Sequence, residues 1–184
     1  ECGGGLGGDT AGVRQARRNL CHPICQYRQF SRGAAFARHR PVDPLSGRVG
    51  AVDCAAFGAT VWAMAQTLVG VRFRLHGRDA ATGLDCVGLV GAAYQRAGHD
   101  FAGVPDSYRL RGQGAHNAEQ WLAAAGLCRA VDAMAGDVLL ADMGLGQLHL
   151  LIGGQQAVVH AHAGLRRVVM MPGDGGGQII SRWR

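Results

Sequence analysis

Lysine is absent from this sequence, and all 19 basic residues among its 184 are arginine. Together with abundant Gly and Ala this reads as the coding bias of a GC-rich genome and points to no particular partner. No apolar run approaches the roughly twenty residues that a membrane-spanning helix requires. Charged residues make up only 17% against 48% hydrophobic, which excludes a chain held open by its own charge. The length suits one domain, or one domain with a tail, and excludes two large ones. A regular cysteine framework is also missing. The six cysteines, at 2, 21, 25, 54, 86 and 128, are spaced without a scaffold pattern. Cys21-His22-Pro23-Ile24-Cys25 has the spacing of half a zinc site, but no second half follows, so incidental thiols are expected there.

The basic charge is concentrated. Residues 1–50 hold eight Arg against Glu1, Asp9 and Asp43, while residues 51–184 hold eleven Arg against ten acids. Residues 1–52 form a Gly- and Arg-rich leader with no sustained period of 3.6 or 2, and are expected to be largely unstructured. Aromatic residues are not interleaved with its arginines. A solvated tail is therefore expected ahead of nucleic-acid, wall-polymer or lipid binding, and no nucleic-acid partner is expected. No initiator Met or charged-then-apolar signal segment opens the sequence, so nothing here argues for standard secretory export.

Order begins at Asp53, which is placed to cap a helix through Ala55, Val61, Ala65 and Leu68 that Gly70 ends. A loop is expected over 72–83. Asp85-Cys86 then opens a second helix whose apolar positions Cys86, Leu89, Val90, Ala93 and Ala97 share one face, with Gly98 as its stop. A short helix is expected near Ala118 to Ala125. Segments 137–141, 147–152, 156–162, 166–170 and 178–183 alternate in part and are separated by Gly-containing turns, the pattern of an antiparallel meander. Helices first and strands second make residues 53–184 an α+β domain.

The chemistry centres on Cys86. A thiol at a helix N-terminus faces unpaired N–H groups and the positive end of the helix dipole, which favours thiolate, and those N–H groups can hold an oxyanion. A Cys on an apolar helix face is nevertheless more often inert core. His149 and His160 fall on neighbouring strands. A two- or four-residue turn at Gly153-Gly154 would put them on one face, the four-residue turn making them direct partners, whereas a three-residue turn would separate them. Either His alone would read as a half-buried structural residue, but with Cys86 they make a nucleophile, a base and an orienting group.

These residues carry a resemblance. GVRFRLHGRDAATGLDCVGLV, from Gly70 to Val90, resembles the nucleophile region of NlpC/P60 cell-wall cysteine peptidases, roughly G-x-x-Y-x-x-G-G followed by D-C-S-G-L-V. The strand beginning Gly136-Asp137 resembles the family's G-D strand. Leu148 to Gly154 is similar to H-V-G-I-Y-x-G, and Val159-His160-Ala161 to I-H-A. The match runs in order from about Val61 to Val169. Val168-Val169 and the terminal Trp183-Arg184 look most like the subgroup encoded beside phage tail genes and in gene-transfer-agent clusters.

The resemblance implies a papain-like fold, with the Cys helix packed on a small antiparallel sheet that bears His. It implies hydrolysis of peptidoglycan stem peptides, typically between γ-D-glutamate and the diamino acid, with no metal or cofactor. Cys86 would be the nucleophile, His149 the general base and acid, and His160 its orienting group. Asp85 would cap the helix or touch substrate. The setting implied is the cell envelope, the periplasm or a phage-like tail, with phage-like tail proteins as further partners. Phe73 stands where the family has Tyr, removing a hydroxyl, and Val87 replaces the usual Ser. His76 replaces the first Gly of the G-G pair, as a cleft-lining or solvent-facing residue, and His162 lies on the face of His160. Two rivals remain open at this point: a zinc hydrolase using His149, His160 and His162, and a non-catalytic wall-binding or structural tail component.

Overall fold

The computed structural model describes residues 53–108, 112 and 114–184. The expectations for the leader, including Cys21 and Cys25, lie outside them. Helix α1 (Cys54–Thr67) starts where Asp53 accepts hydrogen bonds from the N–H groups of Ala55 and Ala56, at 3.0 and 3.3 Å. It buries Gly58, Val61 and Ala65. Helix α2 (Cys86–Arg96) is capped in the same way by Asp85, which accepts from Gly88 N–H at 2.7 Å. Its buried residues include the expected Cys86, Leu89, Val90 and Ala93, with Val87 and Tyr94 besides. A third helix, α3 (Ala115–Ala124), packs Ala118 and Leu122 inward.

The segment expected as a loop before Cys86 contains a small hairpin, β1 (Arg78–Asp79) with β2 (Gly83–Leu84). Its position depends on a contact between two glycines. A Cβ added at Gly88 would collide with the carbonyl oxygen of Gly77, so α2 lies directly on the backbone of the hairpin. Gly88→Ala should therefore destabilise the fold by about 1–3 kcal/mol through overpacking. Thermal unfolding checks this, and an unchanged Tm would show that the contact is loose.

Five strands follow: β3 (Val138–Asp142), β4 (Leu148–Gly153), β5 (Ala157–His162), β6 (Arg167–Pro172) and β7 (Gln178–Trp183). They form one antiparallel sheet in the order β6-β5-β4-β3-β7. The expected meander holds only from β3 to β6. The Gly-rich turn after Pro172 then carries the chain back across the sheet, with Gly175 (φ 74°) against Leu151 and Val158, so that β7 pairs with the far edge. At the other edge, residues 70–73 lie along β6, with Gly70 N–H bonded to Val168 C=O and Phe73 N–H to Arg166 C=O, both at 2.9 Å.

The helices cover one face of the sheet, α2 packing on β4 and β5. Leu84, Leu89, Val90, Tyr94, Val138 and Ile152 are fully buried there. A smaller cluster of Leu139, Ala141, Leu151 and Val158 fills the other face, with Met143, Met171 and Ile179 packed against it. The C-terminal residues have tasks within the fold. Trp183 donates to Ser181 at 2.9 Å, and Arg184 makes bonds of 2.8 and 3.0 Å to the wholly buried Asp137.

Candidate active site

Cys86 occupies the first turn of α2, with 7% of its surface exposed. Cys54 and Cys128 each take part in a disulfide, although the spacing of the cysteines gave no sign of this; Cys86 is the free thiol among the described residues. The expected low thiol pKa is not what this environment produces. Burial pushes the Cys86 thiol up, the Asp85 carboxylate pushes it further, and hydrogen bonds from Leu150, Tyr108 and Val87 only partly oppose them. The helix terminus is the favourable factor the sequence exposes, whereas desolvation appears only once the chain is folded.

Asp85 is 1% exposed. Oδ1 accepts from Gly88 N–H and from Arg78 at 2.7 Å, and Oδ2 accepts from the Tyr108 hydroxyl at 3.0 Å. Of the two roles open to it, the cap is realised, joined by an ion pair. The residue that sequence reasoning missed is Tyr108. Its hydroxyl lies 3.5 Å from Cys86 Sγ, so a phenol stands beside this sulfur even though Phe73 has none. Burial, then the charges of Cys86 and Asp85, raise the Tyr108 pKa and keep it protonated. It donates to the Asp85 carboxylate at rest, and its proton can turn to the sulfur when that becomes anionic. Tyr108 lies 22 positions after Cys86, beyond α2 in a stretch without a regular period, so no local pattern marks it.

His76 lies behind Tyr108. Its backbone is left-handed (φ 57°), and Nε2 is 3.0 Å from Tyr108 C=O, which anchors the segment that carries the phenol. Arg78 adds a bond to Pro105 C=O at 3.2 Å, and its guanidinium lies 6.0 Å from the Tyr108 ring centre. Phe73 lines the cleft, and Val87 is buried beneath it in an apolar pocket.

His149 and His160 do share one face: His149 Nε2 is 3.0 Å from His160 Nδ1. They are not direct partners, however. The register pairs Ile152 with Val159 and Gly153 with Val158, so the turn is centred one residue later than expected and the register slides by two. Parity is kept, and the two imidazoles meet diagonally, edge to face. Burial lowers the pKa of His149 to about 4, with the Asp85 charge pulling the other way. Burial, then the charges of His149 and His160's neighbour His162, lower that of His160 to about 4. Both imidazoles are neutral at neutral pH. His162 lines the cleft 5.4 Å, ring to ring, from His160, and its Nδ1 accepts from Leu165 N–H at 3.1 Å, closing the β5–β6 turn.

Cys86, Tyr108, His149 and His160 line one open cleft of about 300 Å³, together with Phe73 and Ala161. On the other side of Cys86 lies the apolar pocket, walled by Val87, Val104, Trp121, Leu122 and Leu148. A neutral imidazole and a thiol that line one cleft, with helix N–H groups at the thiol's end, are equipped to pass a proton during attack on a carbonyl and to hold the oxyanion. The zinc arrangement is not formed. Four of the six ring nitrogens of His149, His160 and His162 face each other or other protein groups, and among the described residues no three His, Cys, Asp or Glu side chains converge on a cation position.

No protein-family model matches the chain, and no curated protein matches it either. Among solved structures it is similar to the NlpC/p60 domain of the peptidoglycan hydrolase SagA, with 23% identity and a TM-score of 0.45 over 66% of this chain and 95% of that one. It is also similar to NlpC2 from Trichomonas vaginalis (18% identity, TM-score 0.47, covering 70% of this chain and 47% of that one). A third similar structure is a lipoprotein-like protein of the NLP/P60 family from Staphylococcus aureus subsp. aureus Mu50, with 16% identity, a TM-score of 0.43, and coverage of 70% and 41%. The chain spans less than half the length of the second and third of these.

Proposed function

We propose that this chain is a cysteine peptidase of the NlpC/P60 type that hydrolyses stem peptides of peptidoglycan, at the bond between γ-D-glutamate and the diamino acid. The observation that carries this reading is the convergence of Cys86, at the start of α2, and the hydrogen-bonded His149–His160 pair on one cleft. The sequence motifs around these three residues supply the substrate class.

In this mechanism the resting pair is a neutral thiol and a neutral imidazole. As substrate binds, His149 takes the Cys86 proton while sulfur attacks the carbonyl carbon. The oxyanion is held by N–H groups at the start of α2. His149 returns the proton to the departing amine, leaving a thioester. Water, deprotonated by His149, then releases the acid and restores the thiol.

Digestion of purified diaminopimelate-type muropeptides, read by mass spectrometry, tests the proposal. The wild type should release a stem fragment whose mass names the bond, Cys86→Ala should release none, and a chelator should change nothing. The raised thiol pKa gives some weight to a second reading, a wall-binding protein without turnover. Muropeptide binding with no product from the wild type would favour that reading. A place in a phage-like tail draws no support from Val168, Val169, Trp183 or Arg184, which pair or pack inside the domain.

A further inference from the structure

We propose that Met171 is a positioning residue that sets the tautomers of the His149–His160 pair, so that the lone pair of His149 lies on Nδ1; this rests on the reading of His149 as the base. Met171 stands in β6, two residues beyond Val169, the register partner of His160, and its sulfur is 3.1 Å from His160 Nε2. A thioether sulfur accepts hydrogen bonds and has no proton to donate. The hydrogen of that contact therefore sits on His160 Nε2.

A neutral imidazole has one N–H, so His160 Nδ1 is left as an acceptor. It faces His149 Nε2 at 3.0 Å, and that nitrogen must then be the donor. The single N–H of His149 is thereby used, and its lone pair is on Nδ1, the ring nitrogen not engaged by His160. One acceptor at the end of the row orders both rings: His149 Nε2–H to His160 Nδ1, and His160 Nε2–H to Met171 Sδ. Without the sulfur the row can run the other way, with His160 Nδ1–H donating to His149 Nε2. His149 then carries its proton on Nδ1 and cannot accept another there. The first arrangement also holds through the reaction. When His149 gains the thiol proton at Nδ1, its Nε2–H bond to His160 is unchanged, and no second proton needs to move. His160 is 2% exposed, so water has little access to replace the sulfur as acceptor.

The ordinary alternative is that Met171 only fills space beside Leu139, Leu151 and Val158. Long-range ¹⁵N–¹H NMR on the folded chain, labelled at histidine, separates the two without any substrate. The wild type at pH 7 should show His149 and His160 both as Nε2–H tautomers. Met171→Leu keeps the bulk and removes the acceptor. It should populate the Nδ1–H form of both rings and lower kcat about tenfold with KM little changed. Met171→Gln, whose amide oxygen accepts, should restore the wild-type tautomers and most of kcat. An Nδ1–H form of His160 in the wild type would overturn the proposal, as would Met171→Leu with both tautomers and kcat unchanged. Because the tautomers are read without turnover, a chain that hydrolyses no muropeptide but shows the predicted tautomers would refute the enzymatic reading and leave the Met171 assignment standing.

Discussion

Asp85→Asn is expected to make Cys86 more reactive toward an alkylating reagent while making the protein a poorer enzyme. The Asp85 carboxylate is the main charged group that opposes ionisation of the buried sulfur. Removing its charge lowers the thiol pKa, so at fixed pH near neutrality the thiolate fraction and the alkylation rate rise. The same carboxylate supports His149 in its protonated form, so its loss disfavours the imidazolium that catalysis must create. It also holds Arg78 at 2.7 Å and receives the Tyr108 hydroxyl at 3.0 Å. An amide in its place turns an N–H toward one of these donors, and the phenol loses its fixed position beside the sulfur. Activity should fall by about 10²-fold or more. Asp85→Ala removes the cap of α2 as well and should cost about 2–4 kcal/mol of stability, read as a lower Tm. Parallel rates for alkylation and muropeptide cleavage across wild type and Asp85→Asn decide the matter. If both fall together, Asp85 acts only through the integrity of the fold.

The role of Asp85 also shows how far the sequence could be read. The position of Asp85-Cys86 ahead of an apolar helical period identified the cap and the start of α2, because both depend on residues within one turn. His149 and His160 could be put on one face only on the condition of an even turn length, a parity that survives a register slip of two; their diagonal meeting could not be read, because it depends on where the turn is centred. Tyr108, Arg78 and Met171 reach the site from other parts of the chain, through contacts that no periodicity encodes. Gly77 and Gly88 are of the same kind: each looks like an ordinary glycine until the hairpin is laid against the helix. The return of β7 to the far edge was hidden because a strand's own pattern does not name its partner. The raised thiol pKa follows from the same limitation, since a helix terminus can be read locally and desolvation is a property of the assembled core.

The pH dependence should have an unusually low acid limb and no requirement for a preformed thiolate. His149, with its pKa lowered to about 4, stays neutral and able to accept a proton down to that pH. The dependence of kcat/KM on pH, which reports the free enzyme, should therefore be flat through the neutral range and fall only as pH drops toward 4. Cys86 is a thiol throughout that plateau. Its alkylation by a neutral reagent should be slow below about pH 8.5 and rise roughly tenfold per pH unit up to its raised pKa. A thiolate–imidazolium pair would instead alkylate at a nearly constant rate down to acid pH, and observing that would overturn the neutral resting state. Stability sets one condition on the experiment. His149, half-buried, and His160, buried, are both neutral, so the unfolded chain binds protons first as pH falls below about 6.5, and the fold loses stability from there toward 4. A Tm series over the same range separates loss of base from loss of fold, because only protonation of His149 in the native state lowers kcat/KM at temperatures well below Tm. An acid limb near 6.5 in protein that remains folded would mean that burial does not lower the pKa of His149.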